Sequence, residues 1–157
     1  MSIARKSRSF LALPLFTQLW LVPAWLLLGL SRAMILLLSF RRLAPWLGKL
    51  HQDGALVPLL DSRQEARART LKHVVQLAAR YTPWTSNCFP QAVTARLLLG
   101  LHGIPFALYF GVARDADTAA MLAHAWVTAG KVPVSGGNSF GRYTVVACFA
   151  GGFFGAP

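Results

Sequence analysis

Apolar positions change their spacing twice along this chain, dividing it into an apolar lead, two helical stretches and a group of strands. From Phe10 to Ser31 no residue is charged, a run long enough to cross a bilayer. Pro14 and Pro23 interrupt the run, with Gln18 between them. A spanning helix is therefore expected to be kinked, and the alternative is a pair of helices that pack on the domain or lie at a membrane surface. The apolar character continues through "SRAMILLLSF", which argues against a short, cleaved secretory signal. After a loop over 51–61 containing Gly54 and Pro58, apolar residues recur near helical spacing at Ala66, Leu71, Val74, Val75 and Ala78. Asp61 or Ser62 caps that helix, Glu65 stands in its first turn and Pro83 ends it. A further helix starts at Asn87 as N-cap, accepts Pro90 in its first turn, aligns Val93, Leu97 and Leu101, and stops at Gly103.

Beyond Gly103 the pattern becomes β-branched and aromatic. "FALYFGVARD" reads as a strand ending in the acidic turn around Asp115 and Asp117. "LAHAWVTAGKVPV" reads as two strands about a turn at Gly130-Lys131, and "RYTVVACFA" as another. "SGGNSFG" is a Gly-rich loop and "GGFFGAP" a terminal tail. Helices first and strands afterwards predict an α+β domain with an antiparallel sheet packed on helices. The expected division is an apolar helical segment over 1–50 and a domain over 51–157.

Composition adds two constraints. At 157 residues one domain buries about two-thirds of its unfolded surface, so it needs neither disulfides nor a metal. Cys88 and Cys148 are expected as free thiols, and no His/Cys cluster has zinc-ligand spacing. Sixteen Lys and Arg against five Asp and Glu give a formal charge of +11, which suits an anionic partner. The arginines are scattered in "ARKSR", "FRR" and "RQEARAR" without a nucleic-acid recognition motif, so no nucleic acid is expected. Basic residues on both sides of the apolar run (Arg5, Lys6 and Arg8 before it, Arg32, Arg41 and Arg42 after it) make a membrane surface the alternative.

The chemistry-bearing pair is Cys88 and His124. Cys88 is expected at a helix N-terminus, where unpaired N–H groups and the helix dipole favour a thiolate. His124 lies mid-strand between two alanines, where an imidazole is costly without a partner. Cysteine proteases of the papain and transglutaminase type place a Cys at a helix start and a His on a following strand. A packing cysteine and a hydrogen-bonded core histidine remain the alternative. An oxyanion needs donors beside the nucleophile, and the backbone N–H of Cys88, the Trp84 indole and the Gln91 amide are candidates. Trp126 shares the strand face of His124 and is expected to wall the site.

"YTPWTSNCFPQAVTARLLLGLHGIPFALYFGVARD" followed by "AHAWV" resembles the transglutaminase-like cysteine proteases of lasso-peptide biosynthesis, in the form that stands apart from its leader-recognition domain. The likeness covers about residues 62–135 and rests on the order of "PWxxxCxPQA", "GIPxxLxxGV" and "HAWV". It implies a transglutaminase-like or papain-like core, removal of a leader peptide from a ribosomal precursor, Cys88 as nucleophile and His124 as general base. It further implies a leader-recognition protein and an asparagine-synthetase-like cyclase as partners, no cofactor, and a cytoplasmic location. Membrane association through residues 10–40 is the alternative location. The family's acidic third residue has no counterpart: Gly136 stands where the aspartate is sought, and Asn138 is the nearest substitute. Another transglutaminase-like acyl transferase, and a degenerate membrane-associated adaptor of a peptide-maturation complex, remain rival readings.

Overall fold

The structure, a computed structural model, describes residues 13–51 and 55–152. The basic cluster Arg5, Lys6 and Arg8, the start of the apolar run and residues 153–157 of the tail lie outside the described residues.

Among the described residues, four helices precede or flank a five-stranded sheet. The apolar lead forms one helix, α1 (Leu15–Leu37), with Pro14 at its N-cap and Pro23 inside it. A proline is tolerated at a helix start, where the missing N–H had no partner. A short α2 (Phe40–Leu47) leads into strand β1 (Lys49–His51). In α3 (Ser62–Arg80) the cap is Asp61, whose carboxylate accepts from Gln64 N at 2.8 Å while Gln64 Oε1 accepts from Asp61 N at 3.1 Å. This reciprocal box stabilises the first turn. Helix α4 (Cys88–Leu101) follows, then strands β2 (Phe106–Arg114), β3 (Met121–Ala129), β4 (Val132–Ser135) and β5 (Thr144–Gly151).

The strands run antiparallel in the order β1-β5-β2-β3-β4, so the last strand inserts between the first two. The architecture is thus α+β, as the order of elements predicts. Alternation along each strand splits the sheet into two faces. Leu108, Ala125, Val127 and Phe149 join Ala24 and Leu28 of α1, Leu71, Val74 and Val75 of α3, and Ala92, Ala95, Leu98 and Leu99 of α4 in the main core. On the opposite face, Tyr109, Trp126 and Cys148 form a smaller cluster with Leu56, Tyr143 and Val145. The Tyr109 hydroxyl donates to the Leu56 carbonyl there, tying the connection before α3 to the sheet.

The expected boundary at 50/51 falls within β1, which pairs with β5. Helix α1 shares the main core with α3 and α4. Its Ser31 hydroxyl shares a buried 3.2 Å hydrogen bond with the Thr94 hydroxyl of α4, which satisfies both groups at the helix contact.

Candidate active site

Cys88 is the first residue of α4, and Asn87 is its N-cap. Asn87 makes no side-chain capping bond, so the first-turn N–H groups of the helix receive no partner from it. The turn ahead of Cys88 is built on Thr82. Its hydroxyl lies 3.0 Å from Ala79 O, 3.1 Å from Trp84 O and 2.9 Å from Ser86 Oγ. Gln91 braces the same turn by donating to Ser86 O at 2.7 Å.

Cys88 and Phe89 face a shallow cleft of about 190 Å³ whose other walls are Phe110, Gly111 and Val112 of β2, Ala123, His124 and Ala125 of β3, and Val146 of β5. A bulge shapes one wall. Phe110 pairs with Ala147 and Gly111 with Val145, leaving Val146 as an extra residue that turns outward. Nearly every lining side chain is apolar, so the cleft suits a stretch of peptide without charges.

The His124 ring occupies the face of the sheet opposite the helix layer. It stacks on Tyr143 at 4.9 Å and on Trp126 at 5.9 Å between centroids, while Ala125, the next residue, packs in the helix-facing core. Its cross-strand neighbour is Gly111, where a Cβ would come within 2.7–2.9 Å of Trp126 and Tyr143. Only glycine lets the two rings close over β2 beside the imidazole. Among the described residues no hydrogen bond joins Cys88 to His124.

The imidazole has a partner, and it is a main-chain group. His124 Nε2 lies 3.0 Å from the Gly136 carbonyl oxygen. A carbonyl only accepts, so Nε2 donates this bond, and a ring with one proton then has its lone pair on Nδ1. The buried Ser139 hydroxyl donates to the same oxygen at 2.8 Å. Gly136 adopts φ +73°, and a Cβ there would meet Trp126 Cβ at 2.5 Å and Ala125 O at 2.8 Å. No side chain fits where the aspartate was sought. The backbone of Gly136 supplies an acceptor instead.

The remaining sequence candidates are placed elsewhere. Asn138 is exposed and lines a separate cavity with Thr128, Lys131 and Phe140, so the acceptor on His124 is Gly136 and not Asn138. Trp84 packs against α1, 4.8 Å from Trp25 and so close to Gly29 that a Cβ there would sit 3.0 Å from its ring. Its indole N–H is buried without a partner and lies outside the Cys88 cleft. Gln91 lines a polar hollow with Gln76, Ala79 and Arg80. Trp126 is fully buried behind His124 rather than walling the cleft. Cys148 is buried on the His124 side of the sheet, and burial pushes its thiol pKa above the ordinary value. Sequence reasoning missed Thr82 and Ser139, whose hydroxyls act on backbone carbonyls and carry no motif. Among the described residues no cluster of three or more His, Cys, Asp or Glu is placed to hold a metal ion.

Residues 34–148 match the family described as the transglutaminase-like superfamily, from the last turns of α1 into β5, with Cys88 and His124 both inside the match. Among curated proteins and among solved structures, no match is found. The match spans well over half of the 157 residues and agrees with a helix-start cysteine followed by a histidine strand. The chain belongs to the transglutaminase-like superfamily, whose fold is commonly that of a cysteine protease or an acyltransferase.

Proposed function

We propose that the protein is a cysteine peptidase that removes the leader from a ribosomally made lasso-peptide precursor. The observation that supports this reading is that Cys88, first residue of α4, and the β3 position of His124 border one apolar cleft. In this mechanism the Cys88 proton passes to His124 Nδ1 and the sulfur attacks the scissile carbonyl carbon. The oxyanion takes its hydrogen bonds from first-turn N–H groups of α4. The C–N bond then breaks, the leaving amine takes the proton from His124, and water hydrolyses the thioester. In this structure the imidazole is stacked on Trp126 and Tyr143 on the sheet face opposite α4, so the mechanism requires the ring to leave that stack and turn to the α4 side when substrate binds. A leader-recognition protein would deliver the precursor, and a cyclase of the asparagine-synthetase type would consume the freed amine. Transfer of the same thioester to an amine instead of water would make the protein an acyltransferase.

The test is incubation of the full-length protein, with its recognition partner, and a precursor peptide, read by mass spectrometry. One cleavage between leader and core is expected, lost in Cys88→Ala and in His124→Ala. Cleavage at the wild-type rate by Cys88→Ala would place the nucleophile elsewhere. A product carrying a new amide in place of free carboxylate would establish the acyl-transfer reading.

A further inference from the structure

We infer that α1 is a monotopic membrane contact: its outward stripe lies flat on an anionic lipid surface and does not cross the bilayer. Leu15, Leu19, Val22, Leu26, Leu30 and Leu37 recur at three-, four- and seven-residue steps and are all more than half exposed. The stripe runs the length of a 23-residue helix, about 35 Å at 1.5 Å per residue. A water-exposed surface of this size calls for an occupant.

Two observations identify it. The first is the opposite side of the same helix. Thr17, Ala24, Leu28 and Ser31 are buried against α3 and α4, and α3 carries Arg63, Arg67, Arg69, Lys72 and Arg80 alongside. Although α1 is long and apolar enough to cross a membrane, crossing would either strip it from the core or drag those cations into hydrocarbon. Lying in the interface plane requires neither.

The second is charge. Helices α1 and α2 contain no acidic residue. The Arg67 guanidinium sits 4.4 Å over the Phe16 ring at one flank of the stripe, and Arg32, Arg41 and Arg42 stand at its C-terminal end. The ion pair among the described residues is Arg69–Glu65, so among the described residues these four arginines have no carboxylate partner. Anionic headgroups complement such a border. A second copy does not, because a two-fold contact would press one acid-free, arginine-bordered stripe against another.

The test is co-sedimentation of the full-length protein with vesicles of phosphatidylglycerol and phosphatidylcholine, and with phosphatidylcholine alone. Binding to the anionic vesicles is expected to exceed binding to neutral ones by roughly tenfold or more and to weaken with salt. Leu19→Gln with Leu26→Gln, and separately Arg41→Gln with Arg42→Gln, should each lower it by roughly tenfold with unchanged thermal midpoints, since these side chains are exposed. Bound protein should be released by alkaline carbonate. Retention after carbonate would establish a spanning helix and overturn the inference. So would equal binding to neutral vesicles, no binding at all, or a lipid-free dimer abolished by the leucine pair.

Discussion

Replacing Gly136 by alanine is the sharpest probe of the His124 support, because Gly137 provides a matched control. Both glycines hold a left-handed φ, +73° and +71°. A Cβ at Gly137 meets nothing within 4 Å, whereas at Gly136 it meets Trp126 Cβ, Ala125 O and Trp126 Cα between 2.5 and 2.9 Å. The left-handed conformation costs an L-residue about 1–2 kcal/mol. Restricting the unfolded chain returns about 0.4–1 kcal/mol. Gly137→Ala should therefore destabilise by no more than about 1.5 kcal/mol. Gly136→Ala adds an overpacking cost of about 1–3 kcal/mol, because two of its three close contacts are backbone atoms that cannot swing away. For a domain of this size each kcal/mol lowers the midpoint by about 2–4 °C, so Gly136→Ala should melt about 2–12 °C below Gly137→Ala. Circular dichroism melts of the two variants under identical conditions read the difference. Equal midpoints would refute the close packing of Gly136 on β3, and with it the carbonyl's role in holding the imidazole. The same geometry predicts that Gly136→Asp does not restore a carboxylate partner, since its Cβ meets the same backbone.

Ser139→Ala removes the second donor on the Gly136 carbonyl and should lower turnover less than His124→Ala, read as rate against pH for both variants. Iodoacetamide at mild alkaline pH should modify Cys88 in the native protein and spare Cys148, whose burial raises its thiol pKa, as peptide mapping would show. Leu28→Ala should cost about 2–5 kcal/mol and Leu30→Ala close to nothing by urea denaturation, because the first is buried in the core and the second faces outward. Asp115 accepts from Thr118 N and Oγ1 at 2.9 Å each and from Asp117 N at 3.1 Å; these bonds, led by Thr118 N, hold its pKa below the ordinary aspartate value. A depressed carboxylate pKa stabilises fully above the unfolded value and loses that contribution as pH falls through the folded one. Protection of the Asp117 and Thr118 amides, read as exchange relative to the intrinsic rate at each pH, should therefore fall in that acid window, a loss that Asp115→Asn abolishes.

Local chemistry made several elements legible from the sequence. The Asp61 cap, the helix opening at Cys88, the Gly103 stop and the β3–β4 turn at Gly130 each depend on contacts a few residues apart. Cys88 was recognisable for the same reason, since a helix start is a local property. What the sequence left undetermined depends on residues that meet only after folding. Period-two alternation marked His124 and Trp126 as sharing a face, but which face turns toward α4 is decided by where Ala125 and Val127 pack. The acceptor on His124 is a main-chain oxygen, and every residue carries one, so no residue type could have announced it. The apolar lead shows the same limit. Its composition suits a membrane span, a surface helix and a core helix alike. Only burial of Ala24 and Leu28, with Ser31 bonded to Thr94, makes one side of α1 part of the protein's core and leaves the other side outward.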